Sequence, residues 1–165
     1  MKAVSASALF CEDIRREATG RETLIGVLPD TYNVKSLPMR MRRLAIYARI
    51  RIDVEHVDLK KTISISVLGS TGLEISGGEE GPVPAEVVAH GVERAKEMGL
   101  PYATIIGKIR LDEPVSIPSG GTFKVYLHYA DEQELCGLLN IRPRADASAS
   151  PPPPPQSPPV APASS

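Results

Sequence analysis

The chain has 165 residues and a formal net charge of −1 at pH 7, and 42% of its residues are hydrophobic. This length is sufficient for one domain with a sizeable core. The nearly balanced charge argues against non-specific binding to DNA or to acidic lipid, because both normally require a clear positive excess.

Alternating apolar and polar residues predict strands in the first part of the chain. The clearest case is segment 44–54, L-A-I-Y-A-R-I-R-I-D-V, because side chains of a strand point to opposite faces with period 2. A first strand over 4–14 and a short one over 23–28 are predicted to form a hairpin. Segment 31–43 is predicted to be irregular, and the next strand covers 62–68.

A glycine-containing loop over 69–81 separates these strands from a segment with helical period. Between Pro84 and Met98 the residues Val88, Val92 and Ala95 share one helical face. Pro84 suits the first turn of a helix, and the Gly99 that follows suits its C-terminal cap. The pattern therefore predicts one helix over 84–98.

Three further strands are predicted after the helix, over 102–111, 122–129 and 134–141, with a connection over 114–121. About seven strands and one crossover helix predict a mainly β protein, an antiparallel β-sandwich. A closed barrel is the alternative, because the number of strands does not separate the two architectures.

The C-terminal segment differs sharply from the rest. Residues 146–165 hold 8 of the 16 prolines and a single charge, that of Asp146. Such a composition buries too little apolar surface to offset the entropy of ordering it, and the run 151–155 favours polyproline II. We therefore predict a folded domain over 1–145 and a disordered Pro/Ala/Ser-rich tail over 146–165.

Targeting signals and cysteine usage bear on location. The N-terminal residues are too polar for a secretory signal, and no stretch approaches the ~18 apolar residues of a spanning helix. The two cysteines, Cys11 and Cys136, are too few for a disulfide framework and are interpreted as small buried residues. A cytoplasmic protein that is not bound to a membrane is expected.

The opening of the chain carries a resemblance. The residues L-F-C-E-D-I-R of 9–15, a polar turn and L-I-G-V of 24–27 resemble the start of a family of small bacterial and phage-associated proteins. That family continues with a helix like 84–98 and ends with a strand like G-T-F-K-V of 121–125. It is catalogued as a domain of unknown function, so the resemblance implies no activity and no functional residues.

One basic concentration stands out and provides the candidate binding residues. It combines a cluster before strand 44–54 with the polar face of that strand, and its members are Arg40, Arg42, Arg43, Tyr47, Arg49 and Arg51. These side chains suit two kinds of partner, an acidic peptide or a nucleic acid with its phosphates. Because Tyr47 is the only nearby aromatic residue and the domain is neutral overall, a protein partner is preferred over nucleic acid. A solvated sheet face paired with acidic neighbours is the simplest interpretation.

Candidate catalytic and metal residues are few. A calcium site or metal-dependent enzyme would draw on the acidic segment 53–58, with Asp53, Glu55, His56 and Asp58, and on Asp112 and Glu113. A solvated turn is the simpler interpretation. The histidines His56, His90 and His128 lack the spacing of zinc ligands, so no metal or cofactor is predicted.

Glu12 and Asp13 are adjacent carboxylates on the first predicted strand. Neighbouring side chains of a strand point to opposite faces, so the two cannot act as a catalytic pair. A strand end, a bulge or an ion pair with Arg15, Arg16 or Arg21 is expected instead. The sequence contains no recognised catalytic motif, and we expect a non-enzymatic binding or assembly module that acts through an exposed sheet face or a strand edge.

Overall fold

The computed structural model describes residues 2–70, 82–111 and 114–144. Within these ranges the chain forms ten strands and one helix. In chain order the elements are β1 (Val4–Arg16), β2 (Glu22–Val27), β3 (Thr31–Val34), β4 (Met39–Met41), β5 (Leu44–Asp53), β6 (Ile63–Gly69), α1 (Ala85–Glu97), β7 (Tyr102–Leu111), β8 (Val115–Ile117), β9 (Gly121–Tyr129) and β10 (Glu132–Pro143). The prediction of a mainly β protein with one helix is confirmed.

Eight of these strands build two four-stranded sheets. The first sheet has the order β2-β1-β5-β7 and is antiparallel throughout. The second has the order β3-β10-β9-β6, and its β3 runs parallel to β10, which the expectation of a purely antiparallel fold did not include. In the described residues both sheets remain open and separate, as in the predicted sandwich and unlike a closed barrel.

The alternation of β5 explains its place in the centre of the first sheet. Its inward residues expose 1% of their surface or less: Leu44, Ile46, Ala48, Ile50 and Ile52. Complete burial of one such large apolar side chain contributes about 1.5–3 kcal/mol. The inward residues of β6 and β9 are buried in the same core, so residues distant in the chain share one apolar interior.

The two sheets face each other across this core. The rings of Phe10 on β1 and Phe123 on β9 have centroids 6.4 Å apart and are tilted by 44°. Where β1 approaches β10, the backbones come much closer than the ≈ 10 Å usual for stacked sheets. A Cβ atom on Gly137 would lie 2.9 Å from the Cβ of Ala8 and 3.0 Å from its carbonyl oxygen. Glycine at this position therefore allows the two sheets to converge.

The helix carries the chain from the second sheet to the first, as predicted. It begins after Pro84 and buries Val88, Val92 and Ala95. Gly99 follows with φ +66°, and its amide donates to the Lys96 carbonyl while the next amide, of Leu100, donates to that of Ala95. This pair of bonds is the Schellman arrangement that glycine at C′ favours.

Three short strands were not predicted. They are β3, β4 and β8, with four, three and three residues, and they lie in segments expected to be irregular or connecting. Segments this short show too few alternations to reveal a period, and their pairing is decided by distant partners. The buried side chains of Met41, Val115 and Ile117 show that the β4–β8 pair nevertheless closes part of the core.

The described part of the fold ends close to the predicted domain boundary at 145. The last strand ends at Pro143, and the amide of Arg144 still donates to the Val34 carbonyl. The predicted tail 146–165 and residues 71–81 of the predicted glycine loop over 69–81 lie outside the described residues. Across the parts of the chain that the structure describes, no helix has the length and apolar character needed to cross a bilayer.

Candidate functional site

The six predicted binding residues fall into two groups. Arg40 lies on β4, and Arg42 and Arg43 lie directly before β5 at one end of the sandwich. Tyr47, Arg49 and Arg51 lie on the outer face of β5. Arg43 and Arg49 are separated by six residues of extended chain, or about 20 Å. The candidate residues therefore belong to two surfaces rather than one.

The first group lines an opening between two strands. β1 pairs with β5 as far as Cys11, opposite Ala45, and then pairs only with β2 up to Arg16. Because β1 leaves β5 at this point, a cavity of about 610 Å³ opens between them. We call it the arginine cleft, since five arginines line it beside Glu12 and Asp13: Arg15, Arg16, Arg42, Arg43 and Arg110.

A carboxylate of the protein already binds inside the arginine cleft. Oδ2 of Asp13 lies 3.4 Å from Nε of Arg15 and 3.5 Å from a terminal nitrogen of Arg43. Its Oδ1 accepts a hydrogen bond from the amide of Ile14 at 2.8 Å. Partial burial acts to raise the pKa of Asp13, but these hydrogen bonds and the two arginine charges outweigh it and leave the pKa below its usual value. The ion pair with Arg15 is one of the alternatives that the sequence left open for Asp13.

Arg110 connects the two walls of the cleft. Its guanidinium donates to the carbonyl oxygen of Ile14, which β5 does not bond because β1 has turned away. A second cavity of about 550 Å³ adjoins the cleft and shares Glu12, Asp13, Arg15, Arg42 and Arg43 with it. Arg40 faces this second cavity, together with the less polar side chains of Ile25, Tyr32, Met39 and Met41.

The second predicted group is partly occupied by the fold itself. Tyr47 packs on the small buried cluster of Cys11, Ile14 and Ala45, so its ring is only half available for stacking. The guanidinium carbon of Arg51 lies 3.6 Å from the centroid of the Tyr102 ring, a cation–π contact. Arg49 is exposed. Sequence reasoning thus identified a basic face but not the contacts that hold two of its members.

A groove that the sequence did not reveal lies along β7. It has a volume of about 720 Å³ and runs between this strand and α1. We call it the edge groove. Three of its lining side chains are large, apolar and exposed: Val87 (45%), Met98 (63%) and Leu100 (46%). Glu86, His90 and Arg94 add charged and polar groups from the helix.

The backbone of β7 contributes to the edge groove as well. The Val54 amide donates to the Pro101 carbonyl at 3.2 Å, so these two opposed residues are hydrogen-bonded. Along an antiparallel pair of strands, hydrogen-bonded and non-hydrogen-bonded residue pairs alternate. By that alternation Ala103 and Ile105 bond to β5. The intervening Thr104 and Ile106 therefore direct their amide and carbonyl groups away from β5. Among the described residues β7 pairs with β5 alone, so these groups form a free strand edge.

A serine–histidine contact also escaped sequence reasoning. Oγ of Ser66 on β6 lies 2.7 Å from Nε2 of His128 on β9. The two residues are far apart in the sequence, and only the strand register places them together. A hydrolytic site would also need a group that orients the histidine. In residues 2–70, 82–111 and 114–144 the only ion pair of a histidine is that of His56 with Asp53.

The acidic segment 53–58 forms a turn, and the amide of Asp58 donates a hydrogen bond to the Tyr129 hydroxyl on β9 at 2.8 Å. Oδ1 of Asp53 accepts hydrogen bonds from the amides of Glu55 and His56, at 3.0 and 3.2 Å, and lies 3.0 Å from Nδ1 of His56. The His56 hydrogen bond is the main cause of a lowered pKa at Asp53. In the described part of the chain no three metal-ligating residues converge, and Asp112 and Glu113 lie outside it.

The two cysteines are free and poorly suited to nucleophilic chemistry. Burial, followed by the charge of Glu134, raises the pKa of Cys136 to about 11. Burial, followed by Asp13, also raises the pKa of Cys11. Because the thiolate is the reactive form, both side chains are protonated and weakly nucleophilic at neutral pH. Their environment supports the interpretation as small buried residues.

Comparison with known proteins identifies a family but no activity. A model described as "Family of unknown function (DUF6941)" matches residues 6–142. The match spans both four-stranded sheets and the helix, and it confirms the resemblance to an uncharacterised family. No curated protein and no solved structure matches the chain.

Proposed function

The chain belongs to this family of unknown function, and we propose that it is a non-enzymatic binding or assembly module. Its partner is a protein, an extended segment of which adds to β7 as a further strand. The observation that carries this proposal is the free edge of β7 beside an exposed apolar groove. Binding by strand addition uses backbone hydrogen bonds for affinity and side-chain pockets for specificity.

The backbone of the edge supports this mode directly. Thr104, Ile106 and Lys108 are spaced two residues apart, so a paired segment exchanges hydrogen bonds with each in turn. A typical hydrogen bond contributes about 0.5–1.5 kcal/mol net. Strand edges that are not used are normally blunted by charge, proline or a cover. The stretch from Ala103 to Ile106 contains neither a charge nor a proline, and the first charge along the edge is that of Lys108.

The side chains of the edge groove select the partner. Val87, Met98 and Leu100 offer apolar contact to alternate residues of an added strand. Arg94 on the helix and Arg49 on the neighbouring strand favour an acidic residue at its flanks. We therefore expect a segment with alternating apolar residues and at least one carboxylate.

Location and source remain part of the proposal. The two free cysteines support a reducing compartment, and we assign the protein to the cytoplasm on this basis. A bacterial source follows from the resemblance of the opening motif. The alternatives of a metal-dependent enzyme and of nucleic-acid binding through 40–51 predict, respectively, a stoichiometric bound metal and an affinity that falls steeply with salt.

The test uses peptides selected from a displayed random library on the wild-type protein. Binding of a selected peptide is then compared between wild type, Ile106→Pro and Ile106→Ala by titration calorimetry. Proline removes the outward amide without touching the bonds to β5, whereas alanine keeps the amide and removes only the side chain. We expect Ile106→Pro to abolish binding and Ile106→Ala to weaken it modestly.

Amide hydrogen exchange supplies the second measurement. A peptide that binds as a strand slows exchange at Thr104, Ile106 and Lys108 in particular. Unchanged exchange at these amides, or full affinity of Ile106→Pro, would contradict strand addition at β7.

A further inference from the structure

A second binding site follows from the arginine cleft and does not depend on the edge groove. Its five guanidinium groups come from three parts of the chain: β1, the residues before β5, and the end of β7. Guanidinium groups gathered in one opening repel one another unless anions compensate them. Of the described residues lining the cleft, only Glu12 and Asp13 are acidic, so three positive charges are unbalanced.

Two of the arginines are available to a ligand. Arg15 and Arg43 share the carboxylate of Asp13, and Arg110 is bonded to the Ile14 carbonyl. Within the described ranges, Arg16 and Arg42 form no ion pair. A planar guanidinium with a rigid set of donors matches the geometry of a carboxylate, so these two groups form a receptive site.

Asp13 shows which ligand chemistry this site accepts. Its carboxylate lies between two guanidinium groups and accepts a backbone amide hydrogen bond, much as a bound acidic side chain would. A nucleic acid fits less well, because Glu12 and Asp13 repel successive phosphates along its backbone. The continuity of the cleft with the second cavity, lined by Ile25, Tyr32 and Met39, also suits a segment longer than a single small anion.

We infer that the arginine cleft binds the carboxylates of an acidic peptide segment. Arg16 and Arg42 contact these carboxylates first, because neither arginine forms an ion pair within the described ranges. Asp13 acts as an internal competitor that occupies Arg15 and Arg43 when no ligand is present. Removing this competitor therefore strengthens binding, whereas removing Arg16 and Arg42 weakens it.

The probe is a fluorescein-labelled decapeptide of alternating glutamate and serine, with the glutamine–serine peptide as its neutral counterpart. Fluorescence anisotropy at low salt measures its affinity for the full chain. Arg16→Gln with Arg42→Gln is expected to weaken binding about tenfold, which corresponds to about 1.4 kcal/mol. The control is Arg21→Gln with Arg142→Gln, which removes the same charge from exposed positions outside the cleft.

Asp13→Asn provides a test in the opposite direction. It should tighten binding of the glutamate peptide by more than Asp30→Asn does, since both remove one negative charge but only Asp13 competes for the arginines. Thermal midpoints of all variants are measured beside the affinities, so that a loss of folding is recognised.

Three outcomes would overturn the inference. They are equal weakening in the Arg21/Arg142 control, no tightening with Asp13→Asn, and tighter binding of a labelled oligothymidylate than of the glutamate peptide. A fourth contrary outcome is binding of citrate in titration calorimetry without any binding of the peptide, which would assign the site to a small free acid.

Discussion

Ala8 on β1 and Gly137 on β10 bring the two sheets into backbone contact. A Cβ on Gly137 would lie 2.9 Å from that of Ala8 and 3.0 Å from its carbonyl oxygen. The register of β10 against β9 shifts between Leu135 and Gly137, so a bulge lies at this approach. The bulge and the missing side chain together allow β10 to cross β1 closely.

We predict that Gly137→Ala destabilises the protein. The added methyl group meets the Cβ and the carbonyl oxygen of Ala8, neither of which can move without the backbone. Overpacking of this kind costs typically about 1–3 kcal/mol. For a domain of this size the thermal midpoint, measured by circular dichroism, should fall by several degrees.

Gly107→Ala is the matched control for this change. Gly107 also lies in a strand, but a Cβ there would meet the Ile65 and Ala48 side chains at 3.5 and 3.7 Å, which is ordinary contact. The thermal midpoint of Gly107→Ala should stay near that of wild type. An equal loss in both variants would show that strand glycines in general, rather than this contact, determine the effect.

Acid should weaken the turn at Asp53. Its folded-state pKa is lowered, chiefly by the hydrogen bond with His56. A lowered pKa stabilises the folded state above the ordinary pKa of an aspartate, and this contribution is lost as the pH falls through the folded value. Between pH 7, 5 and 3, the free energy of unfolding measured with urea should therefore decline less for Asp53→Asn than for wild type.

Asp58→Asn serves as the control for loss of a charge in the same connection. Within the described ranges, the carboxylate of Asp58 accepts one hydrogen bond, from the Lys60 amide to Oδ1. A decline in Asp53→Asn as steep as that of wild type would place the acid sensitivity elsewhere, for example at Asp13, whose pKa is also lowered.

The cysteines should react slowly in the native protein. A pKa of about 11 at Cys136 leaves very little thiolate at neutral pH, and Cys11 is fully buried. Dithionitrobenzoate should therefore modify the native protein far more slowly than the urea-unfolded one, with a rate that rises with pH. Rapid native modification that Cys136→Ser abolishes would contradict the raised pKa of this thiol.

Deletion of residues 146–165 should leave the stability of the domain nearly unchanged. This prediction rests on composition alone, because a segment of proline, alanine and serine has little apolar surface with which to pack. Thermal unfolding of the truncated chain and of the full chain measures the change in stability. A fall of several degrees would show that the segment contributes to the folded domain and would move the predicted boundary at 145.

The local patterns of the sequence were sufficient for the long elements. β5, β6 and β9 alternate cleanly and begin and end within one or two residues of their predicted limits. The helix could be predicted equally well, since Val88, Val92 and Ala95 define its buried face and Gly99 marks its end. In each case the information lies in neighbouring residues, which share one backbone geometry and one boundary between core and water.

The candidate sites could be predicted from the sequence only in part. Arg40, Arg42 and Arg43 were recognised because they are close in sequence, but Arg110 reaches the cleft from 96 residues beyond Ile14. Arg15 and Arg16 were noted only as ion-pair partners. That these groups surround one opening depends on the point at which β1 leaves β5, and no local pattern marks that point.

By itself, the sequence determined which of the longer segments are strands, where the helix lies and which faces are apolar, because these properties depend on side chains a few positions apart. The tertiary structure alone decided that β7 is an edge, that β3 runs parallel to β10 and that five arginines meet. Strand order and register are chosen by burial and hydrogen bonding between segments far apart in the chain. The two proposed sites arise from that order.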